Sequence, residues 1–158
     1  MSRGAVASAL ASPWLTVRTQ ILLGALFVAA SLPKIADPPS FAHMIYNYRL
    51  VPGVVLNVMA LVLPWLELLA GLALILGMWR RTAAVIVGAL LLVFIVAISW
   101  NLVRGNPIVC GCFDVKAANL SAAEKFALMR LDVWRDLGML LLAGQILYAT
   151  RHGNPTAA

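Results

Sequence analysis

Charged residues are scarce in this chain of 158 residues: they make up 11% of it, and only six are acidic. A soluble domain carries about 25% charged residues. With 63% of its residues hydrophobic, the chain is neither an ordinary soluble domain nor a disordered segment. Twelve lysines and arginines give a net charge of +6, but they stand singly between apolar runs. That spacing is typical of the flanks of membrane helices, and it excludes a nucleic-acid partner, which clustered basic residues would favour.

Histidine and cysteine are equally rare, with two of each in the chain. His43 and His152 are too few and too far apart in sequence to complete a closed zinc site. The sequence therefore predicts no zinc centre, and the two cysteines need another explanation.

Long apolar runs, by contrast, are abundant. A helix crossing the hydrocarbon core needs about 20 largely apolar residues. Four stretches fit or approach this length, and the predicted spans are residues 19–36, 54–79, 82–103 and 130–149. The fourth is the least apolar, and its helix is expected to begin earlier, where Ser121 and Glu124 have the spacing of a capping box. The fold class is all-α integral membrane: one domain over residues 1–158, a bundle of four transmembrane helices in contact with lipid.

Two predicted outer loops, residues 37–53 and 104–129, lie at the same end of this bundle. In the first, Ser40 is expected to cap a short helix after the Asp37-Pro38-Pro39 stop. Its apolar residues recur at helical spacing on one face: Phe41, Met44, Ile45 and Tyr48. The sequence predicts an amphipathic helix at the membrane surface, acting as a lid over the cysteines, as a docking surface or as a simple anchor.

The orientation prediction depends on Arg80 and Arg81, which form the expected two-residue turn between the second and third spans. Short loops rich in arginine stay in the cytoplasm. Both termini are then cytoplasmic, and the two longer loops face outward. Both cysteines lie in the second outer loop.

Cys110 and Cys112 flank a single residue, Gly111. A disulfide across one residue closes a small strained ring with little gain in loop entropy. Strain makes such a bond labile, as thiol exchange requires, and glycine permits the backbone angles of the ring. Redox exchange is the favoured hypothesis. Capture of a soft metal such as Cu(I) between two thiolates and an inert pair beside a helix end are the alternatives.

Glu67 lies in the middle of the second span, one turn after Pro64. An ionisable group at that depth costs at least ~2.5–3.5 kcal/mol on insertion scales, so a partner is expected. Lys34 is the predicted partner, with a gap of several ångströms that water, Asn101 or Arg104 would fill. The pair is either a clasp between two helices or a proton site.

The fourth helix carries two acidic residues one turn apart, Asp132 and Asp136. Arg130 and Arg135 are close enough in sequence to neutralise them. The sequence predicts that these four residues form clasps at the membrane interface.

Several short motifs together carry a resemblance to a known family. They are Arg18 with Gly24, Lys34 before Asp37-Pro38, Tyr48-Arg49-Leu50-Val51-Pro52, Leu63-Pro64-Trp65-Leu66-Glu67 with Gly71 and Gly77, and Asn101-Leu102-Val103-Arg104-Gly105 before Cys110-Gly111-Cys112-Phe113. Over residues 18–149 the chain resembles the DoxX superfamily, and within it the MauE-type branch of methylamine-utilisation proteins. The family pattern has glycine where this chain has Asp114, a carboxylate that would raise the pKa of nearby thiols.

The resemblance implies an inner (cytoplasmic) membrane protein that matures periplasmic redox enzymes by exchanging disulfides or electrons with a periplasmic partner. Cys110 and Cys112 would be catalytic, and five residues would support them: Gly111, Phe113, Asp114, Arg104 and Asn101. A quinone is an electron acceptor that the resemblance allows, and the oligomeric state stays open. Two other hypotheses remain: a non-catalytic anchor or small subunit of a quinone-linked oxidoreductase complex, and a small transporter that uses Glu67 as its proton site.

Overall fold

The computed structural model describes residues 12–108 and 120–152, and within these ranges all regular structure is helical. The five helices are α1 (Pro13–Ala36), α2 (Pro38–Asn47), α3 (Gly53–Leu76), α4 (Arg80–Val103) and α5 (Ala122–His152). The prediction of an all-helical fold is therefore confirmed for the described part of the chain.

Three helices, α1, α3 and α4, are long and apolar enough to cross a membrane. Each has 24 residues, or about 36 Å at a rise of ~1.5 Å per residue. Their length and composition fit the expected multi-pass membrane protein. The fourth predicted span lies in α5, which is more polar, so the count of four spans stays a prediction.

The turn between α3 and α4 differs from the predicted one. Arg80 and Arg81 lie in the first turn of α4, and the connection is made by residues 77–79. Gly77 ends α3 in the left-handed conformation, with φ of 68°, which glycine adopts without a steric penalty. Arg80 Nε donates to the carbonyl oxygen of Gly77 at 3.2 Å. The arginine side chain thus caps the end of α3.

The cap of α2 also differs from the prediction. Asp37 is the N-cap, and its carboxylate accepts from the Ser40 backbone N–H at 3.2 Å and from the Ser40 hydroxyl at 2.6 Å. Pro38 occupies the first position of the helix, where its missing N–H costs nothing. These two hydrogen bonds hold the pKa of the exposed Asp37 below its usual value.

The amphipathic face predicted for α2 is present, but protein covers it. Phe41, Met44, Ile45 and Tyr48 are all buried, from 3% to 9% exposed. Phe41 and Ile45 pack with Leu56 and Ala60 of α3. The helix is therefore a lid on one end of the bundle, which we call the α2 end. The ends of α1 and α4 and the starts of α3 and α5 lie there too.

The start of α5 confirms the predicted capping box. Glu124 Oε2 accepts from the backbone N–H of Ser121 at 2.8 Å and from its hydroxyl at 2.6 Å. In return the Glu124 N–H donates to Ser121 Oγ at 3.4 Å. Two free N–H groups of the first turn are satisfied in this way, and the hydrogen bonds lower the pKa of the exposed Glu124.

Replacing Ser121 with alanine is expected to raise the pKa of Glu124 back toward that of an ordinary carboxyl group. Because the pKa of Glu124 is lower in the folded protein than in the unfolded chain, its carboxylate stabilises the folded state at pH values above the unfolded pKa. This stabilisation is lost as the pH falls through the folded pKa. In the variant, the stability of the first turn of α5 should no longer fall in this way as the pH is lowered. Carboxyl NMR of labelled glutamate measures it, because the chain has only two glutamates; an unchanged Glu124 titration would contradict the capping assignment.

The close contact of α1 with α3 sets the geometry of the core. Gly24 faces Gly71, and a Cβ placed on Gly24 would come within 2.6 Å of the Gly71 carbonyl oxygen. Only a residue without a side chain permits this approach of two backbones. Around it, apolar side chains of four helices, among them Leu23, Leu74 and Leu91, form the main hydrophobic cluster.

Candidate functional site

The best-defined polar group inside the bundle is an ion pair. Lys34 Nζ donates to both carboxylate oxygens of Glu67, at 2.8 Å to Oε1 and 2.7 Å to Oε2. Both residues are 1% exposed. The predicted partners are thus in direct contact. The expected gap between them is wrong, because neither water nor a second polar group separates the charges.

The gap closes because both side chains lean toward each other. With Gly24 opposite Gly71 and the helices antiparallel, Lys34 lies level with Leu61. Glu67 is six residues deeper, about 9 Å at a rise of ~1.5 Å per residue. Helical side chains point toward the N-terminus of their own helix. Lysine therefore leans into the bundle and glutamate leans out of it, and their combined length spans the offset.

Aromatic rings enclose the lysine. The Phe41 ring of α2 lies 5.2 Å from Lys34 Nζ, and the Phe94 ring of α4 lies at 5.4 Å. The faces of aromatic rings attract a cation, and they also exclude water. The lid helix α2 thus contributes directly to the site, which the sequence did not predict.

A second charged group adjoins this pair on α5. Arg135 bonds to Asp132 at 2.7 Å and to Asp136 at 3.0 Å. Asp132 is at the edge of the bundle, with 18% of its side chain exposed, but Asp136 is 1% exposed. The predicted clasp of Arg135 with the two aspartates is therefore present, and Asp136 is buried inside the protein. Arg130 is exposed.

Asp136 and the Lys34–Glu67 pair line a common cavity of about 20 Å³, together with Arg135 and apolar residues of α1, α4 and α5. A cavity needs about 10–15 Å³ to hold one water molecule, so this one admits a single water. It is far too small for a quinone ring system, since pockets for ligands of that size run to about 300 Å³ or more. The buried site can therefore bind water or protons but does not accommodate a quinone ring.

Asn101 organises a third polar group, at the α2 end. Its Nδ2 donates to the Tyr48 carbonyl at 3.3 Å and to the Ala97 carbonyl at 3.0 Å. Asn106 Nδ2 in turn donates to Asn101 Oδ1 at 2.9 Å and to the Asn47 carbonyl at 3.2 Å. These bonds tie the end of α2 to the segment that leads toward the cysteines. Asn101 is thus part of the scaffold of that segment and does not fill a gap beside Glu67.

The predicted thiol site lies outside the described residues. This holds for Cys110, Gly111, Cys112, Phe113 and Asp114. Of the remaining supporting residues, Asn101 has the contacts given above. Arg104 is exposed and lies over the Trp100 ring, with its guanidinium carbon 5.9 Å from the ring centre.

A wider polar cleft of about 640 Å³ opens at the α2 end. It lies between α2, residues 106–108 and the start of α5, and its lining includes His43, Arg49 and Lys125. Ile108, the last described residue before the cysteines, also lines it and is 4% exposed. The chain therefore leaves the described bundle toward the cysteines from a fixed point at the edge of this cleft.

Sequence reasoning missed two features of the site, the burial of Asp136 and the aromatic enclosure of Lys34. The burial of Asp136 could have been considered from the sequence, because an acidic residue directly before the apolar stretch of α5 can face either the membrane interface or the bundle. The enclosure of Lys34 by aromatic rings could not be predicted from the sequence, since it depends on how α2 and α4 pack around α1.

The residues that match known proteins are nearly the same as those that form the described helices. A family model described as methylamine utilisation protein MauE matches residues 12–149. The methylamine utilization protein MauE of Methylophilus methylotrophus is 31% identical over 137 residues, covering 86% of this chain and 67% of that protein. The MauE of Paracoccus denitrificans is 38% identical over 109 residues, covering 68% of this chain and 59% of that protein.

A third relative agrees with these two. The MauE of Methylorubrum extorquens is 36% identical over 135 residues, covering 85% of this chain and 69% of that protein. The chain thus spans about three fifths to two thirds of the length of these relatives. No solved structure matches it. Because the family model and the relatives cover most of the described helices, the chain belongs to the MauE family of methylamine utilisation proteins.

Proposed function

We propose that this protein is a membrane-embedded accessory protein of methylamine utilisation that exchanges disulfides through Cys110 and Cys112. The names of its relatives supply the process. The observation that carries the chemistry is the Cys-Gly-Cys sequence, which lies in the chain between the residues of the Asn101 network and the capped start of α5.

The proposal includes α5 as a fourth membrane span. With 31 residues the helix extends about 46 Å at a rise of ~1.5 Å per residue. Its charges at 132–136 are paired within the protein or lie at its edge, so they do not face lipid. The residues that follow are mostly apolar, and α5 packs with α1 and α4 in the main hydrophobic cluster. An even number of spans places both termini on one side.

The orientation follows from charge. Arg80 and Arg81 lie in the first turn of α4, at the end of the bundle opposite α2. Short basic connections remain in the cytoplasm. The α2 end, the polar cleft and the cysteines would then face the periplasm across the inner membrane, where disulfides persist.

The proposed exchange is balanced between this chain and its partner. One cysteine thiolate attacks a disulfide of an extracytoplasmic protein, forming a mixed disulfide and releasing one partner thiolate. The second cysteine attacks the mixed disulfide, so that Cys110 and Cys112 are oxidised and the partner becomes a dithiol. The reverse sequence oxidises the partner. The cleft at the α2 end, with His43, Arg49 and Lys125 in its lining, is the proposed surface for the partner, because Ile108, two residues before Cys110 in the sequence, also lines it.

Titrating the two thiols in lipid against a graded thiol/disulfide buffer tests the proposal. We expect a reversible couple more oxidising than roughly −220 mV, in the range of exchange catalysts. An alkylating reagent that cannot cross membranes should label the reduced thiols only from the periplasmic side. Of the two single variants, Cys110→Ser and Cys112→Ser, the one that lacks the resolving cysteine should accumulate a mixed disulfide with the partner, whereas the double replacement should abolish growth on methylamine in a strain lacking its own MauE protein.

Two outcomes would contradict the exchange role. One is a pair that stays oxidised below roughly −300 mV or never forms a bond. The other is full growth of the double serine variant, which would leave a non-catalytic anchor as the function. The variant Thr82→Ala, at an exposed position in the first turn of α4 and at the end of the bundle opposite α2, is the control and should grow normally.

A further inference from the structure

The two buried carboxyl groups are bonded in different ways. Both oxygens of Glu67 accept from Lys34, at 2.8 and 2.7 Å. Asp136 instead accepts two bonds on Oδ1 alone, from Arg135 Nε at 3.2 Å and Nη2 at 3.0 Å. Its Oδ2 is buried and finds no hydrogen-bond partner among the described residues. Arginine paired with an ionised carboxylate frequently bonds to both oxygens, whereas one oxygen that accepts both bonds beside an unbonded one fits a carbonyl oxygen beside a hydroxyl.

The surrounding charges favour the same assignment. Lys34 of α1, Glu67 of α3 and Arg135 of α5 line the cavity with Asp136, whereas α4 contributes only Leu91 and Phe94. Arg135 is shared with Asp132. Among the described residues around the cavity, the arginine that bonds to Asp136 thus also bonds to a second carboxyl group, and the lysine bonds to Glu67. A buried carboxylate whose charge is incompletely compensated is costly in a low-dielectric interior, and the usual response is to take up a proton.

We propose that Asp136 is a protonated carboxylic acid whose Oδ2 hydroxyl faces the cavity beside Glu67, which makes this cluster a proton-binding site inside the bundle. The hydroxyl donates its hydrogen bond to a water in the cavity, and Glu67 provides the neighbouring acceptor. Such a site stores one exchangeable proton.

The proton exchanges from the α2 end only. On that side Arg135 and Asp132 are partly exposed, at 31% and 18% of their side chains, and connect Asp136 to the surface. Toward the other end the bundle is closed by apolar side chains, since Leu23, Met139 and Ala143 are buried in one cluster. The site therefore does not form a path across the membrane.

Infrared spectroscopy of the full chain in lipid tests the assignment. At neutral pH we expect a carbonyl band of a protonated carboxylic acid that shifts in D₂O. Few other groups contribute, because the chain has only six acidic residues. Two of them, Asp37 and Glu124, are exposed and have a lowered pKa. The Asp136→Asn variant should lose the band, while Asp114→Asn, the matched control, should keep it.

Isotope labelling keeps the test independent of variant folding. Labelling the aspartate carboxyl carbons should move the band, and labelling the two glutamates should not. The assignment is overturned by a wild-type spectrum without the band, by a band that moves with glutamate, or by its persistence in Asp136→Asn. A variant with both cysteines replaced by serine should keep the band, so a failed disulfide exchange and a failed proton site are distinguishable.

Discussion

Replacing Lys34 with methionine is expected to destabilise the bundle strongly. The variant leaves Glu67 at 1% exposure without the donor that bonds both of its oxygens. Breaking a buried ion pair from one side costs about 3–5 kcal/mol, because the other charge stays buried and uncompensated. Methionine keeps most of the volume between the Phe41 and Phe94 rings, so the loss reports charge more than packing. Unfolding of the purified protein in lipid by graded denaturant measures it.

The matched variant replaces both partners, Lys34 with methionine and Glu67 with leucine. Removing both charges of a buried pair is often neutral or even stabilising, so the double variant should recover most of the stability lost by the single one. Lys125→Met, on a partly exposed side of α5, is the surface control and should change little. A single variant as stable as this control would show that the pair contributes nothing to the bundle.

The double variant also separates the two interpretations of the ion pair. If the pair is a clasp between α1 and α3, a stable double variant should still support growth on methylamine. If Glu67 is a working part of the buried site, the double variant folds and fails to support growth. Each outcome is informative only because stability and growth are measured on the same protein.

Much of the fold is readable from the sequence, because the apolar runs are long enough to cross a membrane as helices. The predicted helix boundaries are less accurate where a capping interaction determines the residue at which the helix ends. The turn after the second span was placed at Arg80 and Arg81, two charged residues between apolar runs. The structure turns earlier, at Gly77, because glycine adopts the left-handed conformation and arginine can cap the helix it follows.

The other residues of the buried site are harder to predict from the sequence than the Lys34–Glu67 pair. Lys34 and Glu67 were linked because a charge in a span needs a partner. Asp136 was assigned to the interface because spacing along a helix shows which residues share a face but not what covers that face. Its burial depends on how α5 packs against α4 and α1. The cysteines were identified from their spacing alone, and their residues lie outside the described ranges.

Replacing Gly24 with alanine is expected to separate α1 from α3. The added Cβ would lie 2.6 Å from the Gly71 carbonyl oxygen and 2.7 Å from Ile75 Cγ1. The isoleucine side chain can move, but the backbone oxygen can retreat only if the helices part. Overpacking of this kind costs about 1–3 kcal/mol. The shift also weakens the alignment of Lys34 with Glu67, because both are carried by these two helices. Denaturant unfolding in lipid measures the loss.

Gly138→Ala is the matched control, since it makes the same substitution in the interior of another helix. A Cβ at Gly138 meets nothing within 4 Å, and alanine is the better helix former by about 0.5–1 kcal/mol. The two variants should therefore change stability in opposite directions, Gly24→Ala downward and Gly138→Ala slightly upward. A gain in stability at both positions would mean that α1 and α3 do not approach as closely as the Gly24 to Gly71 contact requires, and the register that brings Lys34 to Glu67 would have to be redrawn.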